Sequence, residues 1–565
     1  REGAILAVKG LGGYHLACDA TSEAAVARLR ERKHREEKPL AVMVASVDEA
    51  ARVAVVGAEA RRLLAGPERP IVLLDRRPES GLAAGIAPGN PQVGLVLPYS
   101  PLHHLLMADV GRPLVMTSGN VSDEPIATAN ADAIARLSGI ADLFLVHDRE
   151  IVTAADDSVA RVIAGAPVLL RRSRGYVPRA IPLAEAVERP VLAVGGLLKN
   201  TCCVLTGHDA FLGPHIGDLD HLSAYQAFET SVRRMVEFLG VTPEVVAYDL
   251  HPGYHSTWFA KQWRGVTHVG VQHHHAHVAA VMAEHGVAGP VTGVAYDGTG
   301  FGVDGTAWGG EILRVDRDGM TRLATFRPLP LAGGDAAIKA PWRIALALVD
   351  DAWGGPAPIE RLRLFDDIEP RDVAVVRQMV AARLHTAPAH GVGRYFDAVG
   401  ALVLRATRAS FEGQVATALG AAADAADHGL YPYDIQRDAS PWQIDLRPAV
   451  RGIVDDLWRH VAPGVIAARF HRTIGAATAE VVEAVARPGV REPVVLGGGC
   501  FQNALLVEDV MARLQGAEIL LPRQAPPGDG GLALGQAMVA HWTVSAYGVN
   551  DHEPRANSQE RSAKR

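Results

Sequence analysis

Cysteine is scarce in this chain: four residues in 565, Cys18, Cys202, Cys203 and Cys500, with no C-x-x-C pair and two of them adjacent. That pattern supports neither a disulfide framework nor a cysteine-ligated zinc site, and it fits a reducing, cytoplasmic setting. Long apolar runs are missing as well, since no stretch reaches the roughly 20 apolar residues that a bilayer span requires. There is no G-x-x-x-x-G-K-S/T phosphate loop, and GLGG at 10–13 does not complete G-x-G-x-x-G, so P-loop and dinucleotide chemistry lack support. Excess positive charge is also absent: the formal net charge is −7, which argues against nucleic acid as the main partner. The chain opens Arg1-Glu2-Gly3, with no methionine and no basic-then-apolar leader, and so reads as an excised piece rather than a secreted precursor.

What is present is the composition of an ordinary globular protein, 48% hydrophobic and 21% charged, long enough for about three or four folding units. Up to residue 185 apolar strand-like runs (4–8, 40–44, 71–74, 114–117, 143–146, 168–171) alternate with helical ones (23–32, 47–64). This is α/β grammar. The Pro- and charge-bearing string GYVPRAIPLAEAVERP then places a boundary near 185. A second unit is expected over 190–543, and a polar tail over 544–565 is expected to be disordered.

The second unit repeats one device, a strand ending in a glycine-rich turn. Such a turn lets backbone N–H groups approach phosphate oxygens closely, and a carboxylate beside it can hold a metal or its water. It occurs in VLAVGGLLKN from 191, in VTGVAYDGTGFG at 291–302 and in VVLGGGCFQNALL at 494–506, with a helix expected over 224–239. One such turn is no more than a tight turn in a sheet. Three of them can clasp a nucleotide through Lys199 and Asn200, through Asp297, Thr299 and Gly300, and through Gly498, Gly499 and Asn503. That arrangement resembles the actin-like ATPase superfamily.

VQHHHAHVAAVMAEHG predicts a helix over 272–284 closed by Gly286. Residues four apart share a face, so His273 and His277 point the same way while His274 and His275 are rotated around the axis. Four histidines in five residues are hard to satisfy as core packing and favour a metal. Asp529, in the turn PPGDGG, is the expected third ligand, its alternative role being the N-cap of the following helix. Two imidazoles and a carboxylate suit Fe2+ or Zn2+ better than Mg2+.

Basic residues in the first unit flank strands: Arg32, Lys33, Arg35 and Lys38 in RERKHREEKPL, and Arg171, Arg172 and Arg174 in LLRRSRGYVP. Between them lies the polar turn Thr117-Ser118-Gly119-Asn120. Either cluster alone reads as a solvated helix edge, but basic side chains combined with such a turn suit a triphosphate.

The first unit resembles the YrdC family, and the second resembles actin-like carbamoyl and threonylcarbamoyl transferases. The strings KGLGGYHLACDAT, HIGDL, DLHPGYHST, VQHHHAH, DGTGFGVDGTAWGGE and GGGCFQN, spread from residue 9 to beyond 500, together resemble the HypF family of nickel–iron hydrogenase maturation carbamoyltransferases. The resemblance implies a YrdC-like α/β domain with an open twisted sheet, followed by a two-lobed actin-like domain. It implies that ATP, with Mg2+, and carbamate or carbamoyl phosphate give carbamoyl-adenylate, whose carbamoyl group passes to the C-terminal cysteine of the partner HypE. It places Lys33, Arg35, Lys38, Ser118, Asn120, Ser158, Arg161 and Arg174 in the adenylating site, and His273, His277 and Asp529 on the metal. Asp297, Gly300, Asp397, Gly498 and Asn503 fall to the second nucleotide, with Lys33, Arg35, Lys38 and Asp297 catalytic. Adenylation makes chemical sense, because it replaces the poor leaving group of carbamate with AMP, and cations stabilise the departing pyrophosphate. The family also carries an acylphosphatase-like domain and cysteine-rich fingers before these two; without them, inefficient use of carbamoyl phosphate is expected. Related domain pairs acting on small molecules or tRNA, and a non-enzymatic nucleotide-driven scaffold, are the competing readings.

Overall fold

The computed structural model describes residues 2–121 and 124–547 as three sheets with helices packed on them. The first sheet has nine strands, β1 (Leu6–Lys9), β2 (Tyr14–Asp19), β3 (Ala41–Met43), β4 (Ile71–Asp75), β5 (Gln92–Val96), β6 (Leu114–Ser118), β7 (Leu143–Leu145), β8 (Val159–Ile163) and β9 (Ala166–Arg171). Their spatial order is β7-β1-β2-β6-β3-β5-β4-β8-β9, an open mixed sheet of the kind the α/β pattern calls for. The helix Glu23–Lys33 starts at Ser22, whose hydroxyl accepts the Ala25 N–H, and ends at His34 in the left-handed conformation. Val26, Leu29, Arg30 and Lys33 share its buried face, and helical spacing thus drives the Lys33 ammonium inward, toward the end of β6.

Two expectations change here. The single helix over 47–64 is two helices, Val47–Val53 and Ala58–Ala65. Between them Ala54 bridges to Arg76, the Val55 N–H bonds the Asp75 carbonyl, and Gly57 starts the second helix, so the apolar run AVV pairs with the end of β4 instead of continuing the helix. The boundary near 185 falls inside β10 (Ile181–Ala193), whose Ile181, Leu183 and Val187 pack in the core of the second unit. The chain passes from one sheet to the next between Arg171 and Ile181.

In the second unit β10, β11 (Cys203–Leu212), β12 (Val245–Asp249) and β13 (Thr267–Val271) form a four-stranded sheet ordered β11-β10-β12-β13. The third sheet also has nine strands, β14 (Val291–Phe301), β15 (Ala307–Asp316), β16 (Gly319–Phe326), β17 (Leu329–Ala332), β18 (Thr386–Ala389), β19 (Asp434–Gln436), β20 (Trp442–Asp445), β21 (Val494–Gly497) and β22 (Ile519–Leu520). Each sheet has an antiparallel hairpin, β10/β11 or β14/β15, beside parallel strands, β10/β12/β13 or β14/β21/β22. One apolar core joins the two, and it contains the helices His273–His285 and Leu532–Tyr547. These helices approach backbone to backbone: a Cβ on Gly535 would lie 1.7 Å from the Ala276 carbonyl oxygen, so only glycine fits there.

The expected disordered tail begins too early. Residues 544–547 belong to the helix Leu532–Tyr547, with Val544 in the core, and the remainder, 548–565, lies outside the described residues. Among the described residues no helix is long and apolar enough to cross a membrane.

Candidate functional site

The histidine helix forms as its sequence predicts. Gln272 caps it, its Oε1 accepting the N–H groups of His274 (2.7 Å) and His275 (3.0 Å), and Gly286 closes it in the left-handed conformation. His273 and His277, one turn apart, bring their Nε2 atoms to 3.2 Å. Asp529, in a short helical turn ahead of Leu532–Tyr547, places Oδ1 at 3.6 Å from His273 Nε2 and 3.8 Å from His277 Nε2. Asp297 joins them, its Oδ2 3.0 Å from His277 Nε2. One ligand atom from each of the four residues lies within 4.8 Å of all the others.

The surroundings prepare these atoms for a cation. The Asp249 carboxylate, 2.8 Å from His273 Nδ1, can only accept, so Nδ1 donates and Nε2 faces the cluster, where a cation would take the place of its proton. Burial opposes a charge on His273, but Asp249 and Asp529 outweigh it and raise its pKa well above the ordinary value. Burial likewise opposes ionisation of Asp297; His277 and His273 prevail and hold its carboxyl well below the usual range. Two partly buried carboxylates facing two buried imidazoles form a donor set that fits Fe2+ or Zn2+. His274 and His275 turn away, as helical spacing requires. Their Nε2 atoms are buried without a hydrogen bond among the described residues, and burial pulls the His275 pKa down to about 4.

The three glycine turns close around this cluster. Gly300 lets β14 pass over the imidazoles, since a Cβ there would lie 2.5 Å from His274 Cε1, while Thr299 beside it is exposed. Gly498, at φ 96°, packs on Tyr296, and the Gly499 N–H bonds Asp297 Oδ2 (3.2 Å). Lys199 pairs with Glu412; burial opposes its charge, but Glu412, Asp529 and Asp297 raise its pKa above the usual lysine value. Asn200 does not face the cleft: its Nδ2 donates to the carbonyls of Val194 (2.8 Å) and Gly196 (2.7 Å) and ties the turn together. Asn503 caps the helix Ala504–Arg513 and bonds His471 (2.8 Å). Asp397 sits 3.0 Å from Arg394, and burial raises its pKa.

In the first unit Lys33, Ser118 and Asn120 meet. The Lys33 ammonium donates to the Ser118 carbonyl (2.7 Å), the Asn120 carbonyl (2.5 Å) and Asn120 Oδ1 (2.7 Å). Ser118 Oγ donates to the same Oδ1 (2.7 Å). Burial, with Arg35 adding repulsion, lowers the Lys33 pKa to about 7. Arg35 braces the carbonyls of Lys38 and Pro39, and Lys38 is exposed on the same loop. Three other expected residues are engaged elsewhere. Ser158 bonds the Arg174 carbonyl (2.9 Å) and the Ser173 N–H (2.8 Å). The Arg174 guanidinium is taken up by Asp157 (2.5 Å), two backbone carbonyls and the face of Tyr99. Arg161 reaches into the second unit, to the Gln502 carbonyl (3.1 Å).

Sequence reasoning did not single out Asp249, although a carboxylate closing the apolar strand VVAYD just before LHPGYHST was a signal for it. It assigned Asp297 to the nucleotide and missed its place among the imidazoles. Arg394 and Glu412 carried no local signal.

Comparison with known proteins identifies the family. Family models match "Telomere recombination" (the Sua5/YciO/YrdC family) over residues 1–173, "HypF Kae1-like domain" over 186–284 and "Carbamoyltransferase, Kae1-like Domain, second subdomain" over 293–536. Carbamoyltransferase HypF2 of Cupriavidus necator is 42% identical over 96% of this chain and 72% of its own length. Carbamoyltransferase HypF of Synechocystis sp. is 39% identical over 95% and 71%. A full-length HypF solved in a phosphate- and nucleotide-bound form superposes with a TM-score of 0.92 at 41% identity, covering 96% of this chain and 85% of that one. The two-domain α/β architecture, the histidine helix and the extent of these matches lead to one conclusion: the chain belongs to the HypF family of carbamoyltransferases.

Proposed function

We propose that this carbamoyltransferase works in two stages in hydrogenase maturation: carbamate and ATP give carbamoyl-adenylate and pyrophosphate in the first unit, and the carbamoyl group then passes, in the second, to the C-terminal cysteine of HypE. The observation that carries this reading is the convergence of His273, His277, Asp297 and Asp529 within 4.8 Å, directly beside the glycine turn of β14. The relative solved with phosphate and nucleotide supports anionic ligands for the fold.

Each stage has residues suited to it. Lys33, held by the Ser118–Asn120 turn with a pKa near 7, exchanges its carbonyl partners for phosphate oxygens and gains a proton as they arrive. With that charge it stabilises the pyrophosphate that departs. In the second unit the Asp297–Gly300 turn admits the adenylate phosphate, and the buried cleft excludes water that would hydrolyse the carbamoyl ester. A bound Fe2+ or Zn2+ would polarise the carbamoyl oxygen there. Asp249 holds His273 in the tautomer that keeps Nε2 free.

The test is direct. Incubation with ATP, ammonium carbamate and HypE should release pyrophosphate and carbamoylate the terminal cysteine of HypE, as read by mass spectrometry of its C-terminal peptide. Pyrophosphate release with an unmodified cysteine would overturn the acceptor assignment, and carbamate without effect on pyrophosphate release would overturn the adenylate.

A further inference from the structure

Beside the metal cluster lies an arginine with no assigned task. The helix Val392–Leu404 aims its N-terminus at the turn of β14: a Cβ on Gly391 would lie 2.1 Å from the Gly298 carbonyl oxygen, and one on Gly393 2.8 Å from Gly298 Cα. From the first turn of that helix Arg394 reaches back against Gly298, where a Cβ would meet its Nη2 at 2.5 Å. The residue is only 4% exposed, yet its Nε and Nη1 make no hydrogen bond among the described residues. Asp397 Oδ2 lies 3.0 Å from Nη1 but outside hydrogen-bonding geometry, and it too is unbonded. A buried guanidinium pays heavily for idle N–H groups, so a fork of this kind beside a glycine turn calls for an oxyanion.

We propose that Arg394 is a phosphate-binding residue of the second unit, its guanidinium turning from Asp397 onto the anionic group that the Asp297–Gly298 turn admits, the α-phosphate of an adenylate. The assignment rests on the nucleotide reading given above. In the transfer step the thiolate sulfur bonds the carbamoyl carbon after its proton has left to solvent. The bond from that carbon to the phosphate oxygen breaks, and the electron pair leaves on AMP, whose phosphate gains one negative charge. A guanidinium on that phosphate is worth more in the product than in the ester, so Arg394 favours departure. Helix dipole and arginine act together on the same group.

The test compares AMP with adenosine, by calorimetry, in the full chain carrying Lys33→Met, which weakens phosphate binding in the first unit's pocket so that changes in AMP affinity report the second. Arg394→Gln should weaken AMP binding about 10–100-fold and leave adenosine within about twofold. Arg394→Lys, which keeps the charge and loses the fork, should fall between. AMP affinity unchanged in both variants, or AMP and adenosine weakened by the same factor, would overturn the assignment. If Arg394→Gln melts early, Arg394→Lys carries the same comparison. A Lys33→Met parent that binds neither ligand overturns this assignment and the second nucleotide site together. AMP binding through Arg394 in this parent, together with a wild-type chain that releases pyrophosphate from ATP and carbamate but never carbamoylates HypE, leaves the arginine in place and removes the acceptor reading.

Discussion

The two chemical centres of this chain are built from opposite materials. In the first unit a lysine on the inner face of a helix leans on backbone carbonyls, and burial lowers its pKa to about 7, so that it holds its proton only part of the time at neutral pH. In the second, two carboxylates and two imidazoles stand in a helix-and-turn frame whose partners are themselves buried and bonded. The first centre is short of positive charge until an anion arrives, and the second is short of it until a cation does. Neither is complete by itself, and the difference states which ligand each one is waiting for.

The sharpest way to break this contrast is to remove a ligand from the second centre alone. His277→Ala should eliminate stoichiometric iron or zinc from the purified chain, as read by elemental analysis. It should also reduce carbamoyl transfer to the HypE cysteine by more than the 10–100-fold or so that losing a hydrogen bond behind a ligand costs, while carbamate-dependent pyrophosphate release persists. Asp249→Asn supplies that smaller step, about 10–100-fold in metal affinity, because the tautomer of His273 is no longer fixed. Equal losses of pyrophosphate release and of transfer in either variant would show that the centres are not separable.

Lys33 offers the corresponding cut in the first unit. Its folded pKa of about 7 lies below the roughly 10.4 of a free lysine, so between those values the unfolded chain binds more protons. Stability attributable to Lys33 therefore rises with pH through that window, and Lys33→Met should flatten the rise in a pH series of melts. Phosphate reverses the penalty. ATP binding at pH 8 should take up toward about one proton more in the wild type than in Lys33→Met, falling toward none well below pH 7, by calorimetry in two buffers of different ionisation enthalpy. The variant should also bind ATP more weakly by about 1.5–3 kcal/mol.

The centres differ also in how far they could be read from sequence. The histidine helix was legible to within a residue at each end, because a left-handed glycine cap and i, i+4 spacing are local physics. Lys33, Ser118 and Asn120 were legible for a similar reason, a buried helix face meeting the polar end of a strand. Local pattern does not give the partners that the tertiary fold sets. Ser158, expected in the adenylating site from the family resemblance alone, ties down the Arg174 backbone, and the Arg174 guanidinium lies on Asp157, Tyr99 and backbone carbonyls. Asp297 lies 20 residues after His277 by number, and only the pairing of β14 with β21 and β15 brings it onto the imidazole. The helix expected over 47–64 broke because its apolar spacing fits a strand edge as well, and Asp75 and Arg76 were there to pair with it.

The smallest effect should come from the seam between the centres. Glu37, on the basic loop of the first unit, accepts hydrogen bonds from Ser410 Oγ (3.0 Å) and Gln414 Nε2 (2.5 Å) of the second, two residues either side of the Glu412 that pairs with Lys199. These groups are exposed, so water replaces what is lost, and Glu37→Ala should cost less than about 1 kcal/mol in a thermal melt. Pyrophosphate release should be unchanged, because Lys33 and its turn are untouched, and so should metal content. The partly buried ties from Arg161 to the Gln502 carbonyl and from Arg172 to the Gln524 carbonyl remain. If transfer to HypE nevertheless falls several-fold while both partial measurements hold, the loop's position at the seam matters to the passage between centres, and the two are coupled through this loop as well as through the chain.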